Sequence, residues 1–213
     1  MADSSSIIFK QNCKKCFRLA EFLKTSKQKY PNYHCKPVSA FGDPKAHLLI
    51  VGLAPGMHGA NATGRPFTGD HAGIILYKTL YKFKFATHSV SKNTDDTLRL
   101  KDCRITNAVK CVPPANKPTL DEIKSCNTYL RNELDLLTPG CVILALGKIA
   151  HDSVLRAFGL KLSQYPFGHA KQYKMQNKLH LLDSYHCSRY NTQTKRLTQK
   201  QFETIFAKVR SIL

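Results

Sequence analysis

The sequence predicts an α/β fold: a parallel sheet covered by helices on both faces. Three observations carry this. Four short apolar runs, at residues 47–51, 103–109, 141–146 and 179–183, have the length and composition of buried strands. A helical pattern follows each of them. The resulting order, βαβαβαβα, needs a sheet buried on both sides, where strands read as continuous apolar runs such as CVILAL at 141–146. The 213 residues suit one domain with an ample core, and no internal repeat or domain boundary is visible.

The elements follow in order. Residues 1–6 are short and polar and are expected to be disordered. Cys13-Lys14-Lys15-Cys16 opens a helix carrying Leu19, Phe22 and Leu23; alone, such a pair suits zinc, a redox couple or two unrelated thiols. Three prolines and Gly42 make residues 30–44 an irregular connection. His47-Leu48-Leu49-Ile50-Val51 is the first strand. Gly52, Gly56, Gly59, Gly64 and Gly69 then interrupt regular structure as far as Asp70. Ile74, Ile75, Leu76, Leu80 and Tyr81 recur at helix spacing and predict a helix to about Phe85. Residues 86–101 are polar and aperiodic, a surface loop.

The second strand, 103–109, runs into Lys110-Cys111-Val112-Pro113-Pro114. Thr119 with Glu122 predicts a capping box, and Leu120, Ile123, Cys126, Leu130, Leu134 and Leu137 form the stripe of the helix behind it. Cys126 therefore faces inward. Pro139-Gly140 ends that helix. The third strand is 141–146, and Gly147 turns into a helix through Val154, Leu155 and Phe158. A small extra strand is expected within 167–177. The last core strand, 179–183, feeds a loop at 184–197. Thr198 with Gln201 caps a final helix carrying Phe202, Ile205, Phe206, Val209 and Ile212.

Charge narrows the function. With 33 Lys+Arg against 14 Asp+Glu the formal net charge is +19, which points to an anionic polymer or an anionic membrane surface. No apolar run reaches spanning length and no signal peptide opens the chain, so a membrane partner is not expected and an intracellular, cytoplasmic setting is. Eight cysteines in that setting bind metal or sit in the core.

The stretch 52–70, GLAPGMHGANATGRPFTGD, is where function is expected. A strand, a glycine-rich loop and a helix place it at the carboxyl edge of the sheet, where such folds bind ligands. It is neither GxxxxGK[ST] nor GxGxxG. An Ω-loop that merely connects elements is the plain alternative, but loops this long are usually functional, and this one carries Asn61, Arg65, Phe67 and Asp70.

Three motifs carry a family resemblance: GLAPGMHGANATGRPFTGDHAG at 52–73, TNAVKCVPP at 106–114 and YHCSRYNTQTKRLT at 185–198. In this order they resemble the uracil-DNA glycosylase superfamily, specifically its iron–sulfur branch, family 5 or type b. The resemblance implies a three-layer α/β/α fold with a central four-stranded parallel sheet, as a single domain over residues 1–213. It implies an enzyme that flips uracil out of DNA, at an unstacking cost of a few kcal/mol. The enzyme then hydrolyses the N-glycosidic bond and so starts base excision repair. Hypoxanthine and other deaminated bases are possible further substrates, on single- or double-stranded DNA, by a monomer.

The resemblance implies the following roles, residue by residue. Gly52, Leu53 and Ala54 lie against the substrate at the strand end. Phe67 stacks on the flipped base, the alternative being a core phenylalanine. Asn107 reads the uracil edge with one donor and one acceptor; a turn asparagine is the plain reading. His186 matches the histidine that donates to the uracil carbonyl as charge develops. Asp70 activates water and stabilises the sugar cation, because Leu53 and Ala54 stand where related families carry a polar residue; a helix N-cap is its alternative, compatible with the first role. Asn116, Ser188, Arg189 and Tyr190 are placed on DNA, Arg189 and Tyr190 as wedge residues.

Two positions depart from the family pattern: Cys187 replaces a proline, and Lys195 replaces a glycine before Arg196-Leu197-Thr198. Cys13, Cys16, Cys111 and Cys126 are the candidates for one metal site. Their spacing leaves structural zinc and [4Fe–4S] equally open. Cys35, Cys103 and Cys141 are read as buried core residues; the resemblance selects [4Fe–4S] for the four candidates, with a structural role. Rival readings are a non-catalytic binder of single-stranded DNA using Phe67 and Tyr190 as stacking platforms, and a zinc-stabilised relative without catalysis, of which Cys187 would be the trace.

Overall fold

A computed structural model describes residues 9–213; the stretch 1–6 lies outside the described residues. The elements are α1 (Phe17–Lys29), β1 (Phe41–Gly42), β2 (Leu48–Gly52), α2 (Ala60–Thr63), α3 (His71–Lys82), β3 (Cys103–Asn107), α4 (Leu120–Asp135), β4 (Val142–Leu146), α5 (Lys148–Ala157), β5 (Gln172–Lys174), β6 (His180–Ser184), α6 (Arg189–Gln193) and α7 (Gln199–Ile212). The four apolar runs become β2, β3, β4 and β6. These pair in parallel in the order β3-β2-β4-β6. The short strands β1 and β5 add antiparallel on the two edges. β5 falls within the expected 167–177 stretch, whereas β1, at two residues, is too short to leave a periodic signal.

Alternation along the strands builds the three layers. Leu48, Ile50, Ile105 and Leu144 face α3 and α7 and pack with Leu76, Leu80, Phe202 and Phe206. Leu49, Val51, Ile143 and Ala145 face α4 and α5 and pack with Leu130, Leu134, Val154 and Leu155. Every residue of β2 and β4 is buried, which is why those strands read as unbroken apolar runs. Burial of a Leu or Ile at such a position contributes roughly 1.5–3 kcal/mol. A smaller cluster, Leu19, Val109, Cys126 and Tyr129, joins α1 to α4 beside the C-x-x-C.

Both expected capping boxes form, Thr119 with Glu122 on α4 and Thr198 with Gln201 on α7. Three stripe residues, however, face solvent. Ile74 and Tyr81, seven apart and so on one face of α3, are 66% and 53% exposed, while Ala72, Leu76, Tyr77 and Leu80 take the buried face. Leu120 lies at the first position of α4, before the helix reaches the sheet, and is 49% exposed. The 86–101 segment is also more than a surface loop. Ala86 and Leu100 pair as a bridge and Leu98 is buried. Arg65 reaches it from the glycine-rich stretch, with Nη1 donating to Asp96 Oδ1 (2.6 Å) and Ser91 Oγ (3.1 Å) and Nη2 to the Thr94 carbonyl (2.9 Å). Among the described residues, no helix is long and apolar enough to cross a membrane.

Candidate active site

The carboxyl ends of β2, β3 and β4 and the loop after β6 surround a cavity of about 530 Å³. Its polar floor is set by register. Gly52 is the β2 residue paired with Asn107 of β3, and the pairing continues past the strands through Ala108 N–H to Gly52 O (2.9 Å) and Val109 N–H to Leu53 O (3.0 Å). Position 52 has to be glycine. A Cβ there would overlap Asn107 Oδ1 and stand 2.6 Å from Phe67 Cζ. Leu53 and Ala54 line the cavity just beyond. Asn107 is 3% exposed, and its Oδ1 is buried without a hydrogen-bond partner among the described residues. An orphaned acceptor of this kind costs about 1–3 kcal/mol unless something donates to it.

Phe67 comes from the loop between α2 and α3. The four-residue α2 before that loop is unforeseen from the sequence because one turn has no period, and Gly64 (φ +81°) closes it. Phe67 itself takes a left-handed φ of +54°, and the Tyr77 hydroxyl donates to the Pro66 carbonyl beside it (2.8 Å). The ring belongs to the α3/α7 core and also lines the cavity, stacked 5.9 Å and 26° from the His186 ring. The core and base-facing readings of Phe67 are thus not exclusive.

Asp70 is the N-cap of α3, its Oδ1 accepting from Gly73 N–H at 2.8 Å, and it also lines the cavity. Gly59 approaches it so closely that a Cβ there would lie 2.6 Å from Asp70 Oδ2. Burial raises the Asp70 carboxyl above the usual range, only partly offset by the hydrogen bond from Gly73. Burial pushes His186 the other way, down to about 4, so the imidazole is neutral at pH 7 and carries one N–H donor. Next to it Cys187 is fully buried, with Sγ 3.5 Å from the Ala72 carbonyl at the start of α3. Packing against α3 holds this loop at the position where the family pattern has a proline.

The mouth is basic. Lys148, Arg189 and Arg196 line it with Asn116 and Ser188. Asn116 sits exposed in a turn at Pro114–Asn116 with φ +56°, and Ser188 is the N-cap of α6. Tyr190 is 70% exposed and lies outside the cavity lining. Several lining residues were not anticipated, among them Lys148, Phe167, Tyr185 and Arg196. Tyr185 and Arg196 lie inside the 185–198 motif, which could have pointed to them. Lys148 and Phe167 carry no sequence signal.

Cys13, Cys16, Cys111 and Cys126 line a second, small cavity together with Phe9, Leu19, Val109 and Tyr129. The backbone N–H of Lys110 donates to Cys126 Sγ, and the Tyr129 hydroxyl donates to Cys13 Sγ, both at 3.3 Å. Burial raises the Cys111 thiol, and the neighbouring Cys126, Cys13 and Cys16 raise it further; burial likewise holds Cys126 up at about 11. Among the described residues no His, Cys, Asp and Glu side chains are drawn together as a ready metal site. Four sulfurs nonetheless share one cavity, the donor set a tetrathiolate centre uses, and burial destabilises the thiolates of Cys16, Cys111 and Cys126 unless a cation offsets their charge. Cys35, Cys103 and Cys141 are buried in the core elsewhere.

The family model of the Uracil DNA glycosylase superfamily matches residues 39–210. A Type-5 uracil-DNA glycosylase of Thermus thermophilus is 48% identical over 170 residues, covering 80% of this chain and 77% of that protein. One from Pyrobaculum aerophilum is 37% identical over 191 residues, covering 88% and 83%. A Type-4 uracil-DNA glycosylase of Archaeoglobus fulgidus is 30% identical over 178 residues, covering 81% and 79%.

Proposed function

The chain belongs to the uracil-DNA glycosylase superfamily, and from that premise we propose that it excises uracil from DNA and starts base excision repair. The observation that carries the reading is the orphaned Asn107 Oδ1. It is a buried acceptor at the cavity floor, held against Gly52 beside the Phe67 ring. An acceptor there takes the N3–H of a flipped uracil, while the amide of the same side chain donates to O4.

Each remaining part of the site has a task in that reaction. Phe67 covers one face of the base. His186 is neutral at pH 7 and donates to a uracil carbonyl as the leaving base gains charge; a donor aimed at developing charge is often the largest catalytic contribution. The Asp70 oxygen that does not cap α3 lies beside Gly59 on the cavity, and its assigned task is to stabilise an oxocarbenium-like sugar and take a proton from the attacking water. Lys148, Arg189 and Arg196 attract the phosphates at the mouth. Substrate DNA is read as single- or double-stranded, hypoxanthine as a further base the 530 Å³ cavity has room for, and the active unit as one domain and a monomer.

Cys13, Cys16, Cys111 and Cys126 would hold a [4Fe–4S] cluster. Bound there, it supplies a cross-link between the start of α1, the loop after β3 and α4. That cross-link would hold the segment from Cys111 to Asn116 beside the cavity. The test of the whole reading is direct. Pure protein is incubated with a uracil-containing oligonucleotide, and abasic product is sought by alkaline strand cleavage. Uracil-dependent cleavage is expected; DNA binding without any abasic product would leave a binding protein instead.

A further inference from the structure

We propose that Arg196 is a phosphate clamp for the nucleotide entering the cavity, and that Tyr185 and His169 are the residues that position it. The inference rests on the glycosylase reading above. The Arg196 guanidinium lies over the Tyr185 ring, 4.6 Å from its centroid. The His169 ring stacks on the same tyrosine at 5.0 Å and 12°. His169 is fixed in turn by its Nδ1, which accepts from the Tyr185 backbone N–H at 3.2 Å.

The backbone around Arg196 is equally determined. Lys195 before it takes a left-handed φ of +57°, and Leu197 after it is fully buried, with its N–H donating to the Asn191 carbonyl at 3.0 Å. Arg196 is therefore an exposed cation on a rigid turn, with its stem set by an aromatic face. It also lines the mouth of the cavity.

None of the ion pairs among the described residues involves Arg196. Its neighbour on the rim, Lys148, is by contrast paired with Asp152 at 2.6 Å. A planar guanidinium stacked on an aromatic keeps its N–H edge free for an anion, and the stack removes much of the rotamer freedom that binding would otherwise have to freeze. The anion available at the mouth of a base-flipping site is a phosphodiester. The left-handed turn also explains why the family pattern favours glycine at position 195, where a lysine side chain is strained.

The test is the salt dependence of binding to a uracil oligonucleotide, measured with wild type, Arg196→Gln, Tyr185→Phe, Tyr185→Leu and the Arg196→Gln/Tyr185→Leu double variant. Loss of one phosphate contact lowers the slope of log K against log salt by about 0.7–0.9. We expect that loss in Arg196→Gln, with Kd raised roughly tenfold as for one charge-assisted contact. Tyr185→Phe keeps the ring and should bind as wild type. Tyr185→Leu should raise Kd, and the double variant should be no worse than Arg196→Gln alone. A wild-type enzyme that cleaves uracil DNA beside an Arg196→Gln protein with an unchanged slope overturns the clamp. Fully additive losses in the double variant overturn the positioning by Tyr185. Wild-type protein that neither binds nor cleaves the oligonucleotide overturns the glycosylase reading and the clamp with it.

Discussion

Gly52 and Asn107 face each other across the parallel pair β2–β3, so closely that position 52 has no room for a Cβ. The same missing Cβ also admits the edge of Phe67, at 2.6 Å from where it would stand. One glycine thus brings the Asn107 carboxamide and the Phe67 ring together. Gly52→Ala should displace both: excision should fall by two orders of magnitude or more, as expected when reacting groups are misplaced by about an ångström. Folding should weaken by about 1–3 kcal/mol from overpacking. Thermal unfolding and single-turnover excision check it, and wild-type excision would show that this contact is slack.

Asn107→Asp should exchange base preference. Uracil offers a donor at N3 and an acceptor at O4, whereas cytosine offers an acceptor at N3 and an amino donor. Ionised aspartate has only acceptors, so it faces O4 without a donor. An unpaired buried group costs on the order of 1–3 kcal/mol. Matched single-stranded oligonucleotides should show uracil excision lost and weak cytosine excision gained. Unchanged uracil excision would place the base elsewhere in the cavity.

Asp70 caps α3 as well as lining the cavity, so two substitutions separate its roles. Asp70→Asn keeps an acceptor for Gly73 N–H and should retain stability, while Asp70→Ala should lose about 0.5–2 kcal/mol. Both should lose about 100-fold or more in excision while DNA affinity is kept. Burial raises the carboxyl, so wild-type excision should rise with pH through an inflection above the ordinary aspartate range, and Asp70→Asn should lack it. Wild-type rates from the Asn variant would move the base to another residue.

His186 predicts a specific pH window of stability. Its folded pKa is lowered to about 4 against an unfolded value near 6.5, so the unfolded chain binds the proton more readily. Above about pH 6.5 the group is neutral in both states and has no effect. As pH falls from there to about 4, stability is lost, by up to about 3 kcal/mol. His186→Gln should remove that portion of the acid limb in urea melts run at stepped pH. Parallel acid limbs in the two proteins would mean that the histidine is solvated.

Protein purified without oxygen should be brown and contain iron and acid-labile sulfide at about four per chain, as a tetrathiolate [4Fe–4S] centre requires. Stoichiometric zinc without sulfide would remove the iron–sulfur assignment. Cys111→Ala or Cys126→Ala should lower the folded yield, whereas Cys35→Ala, in the core away from the four-cysteine cavity, should leave it in place.

The amino-acid order by itself determined the four central strands, the helices between them and both capping boxes. Those depend on periodicity and on contacts three or four residues apart. It also placed Gly52, Phe67, Asp70, Asn107 and His186 at strand ends and in the loops that follow them. Only the tertiary structure decided that Asn107 meets Gly52, since strand order and register couple residues 55 positions apart and no local pattern encodes them. The same holds for the edge strand β1, for the outward turn of Ile74 and Tyr81, and for the four cysteines on one cavity. Arg196 is a further case. In sequence it is one cation of the 185–198 motif among 33 in the chain; its stack on Tyr185, completed by His169 from a separate segment, exists only once the sheet has formed.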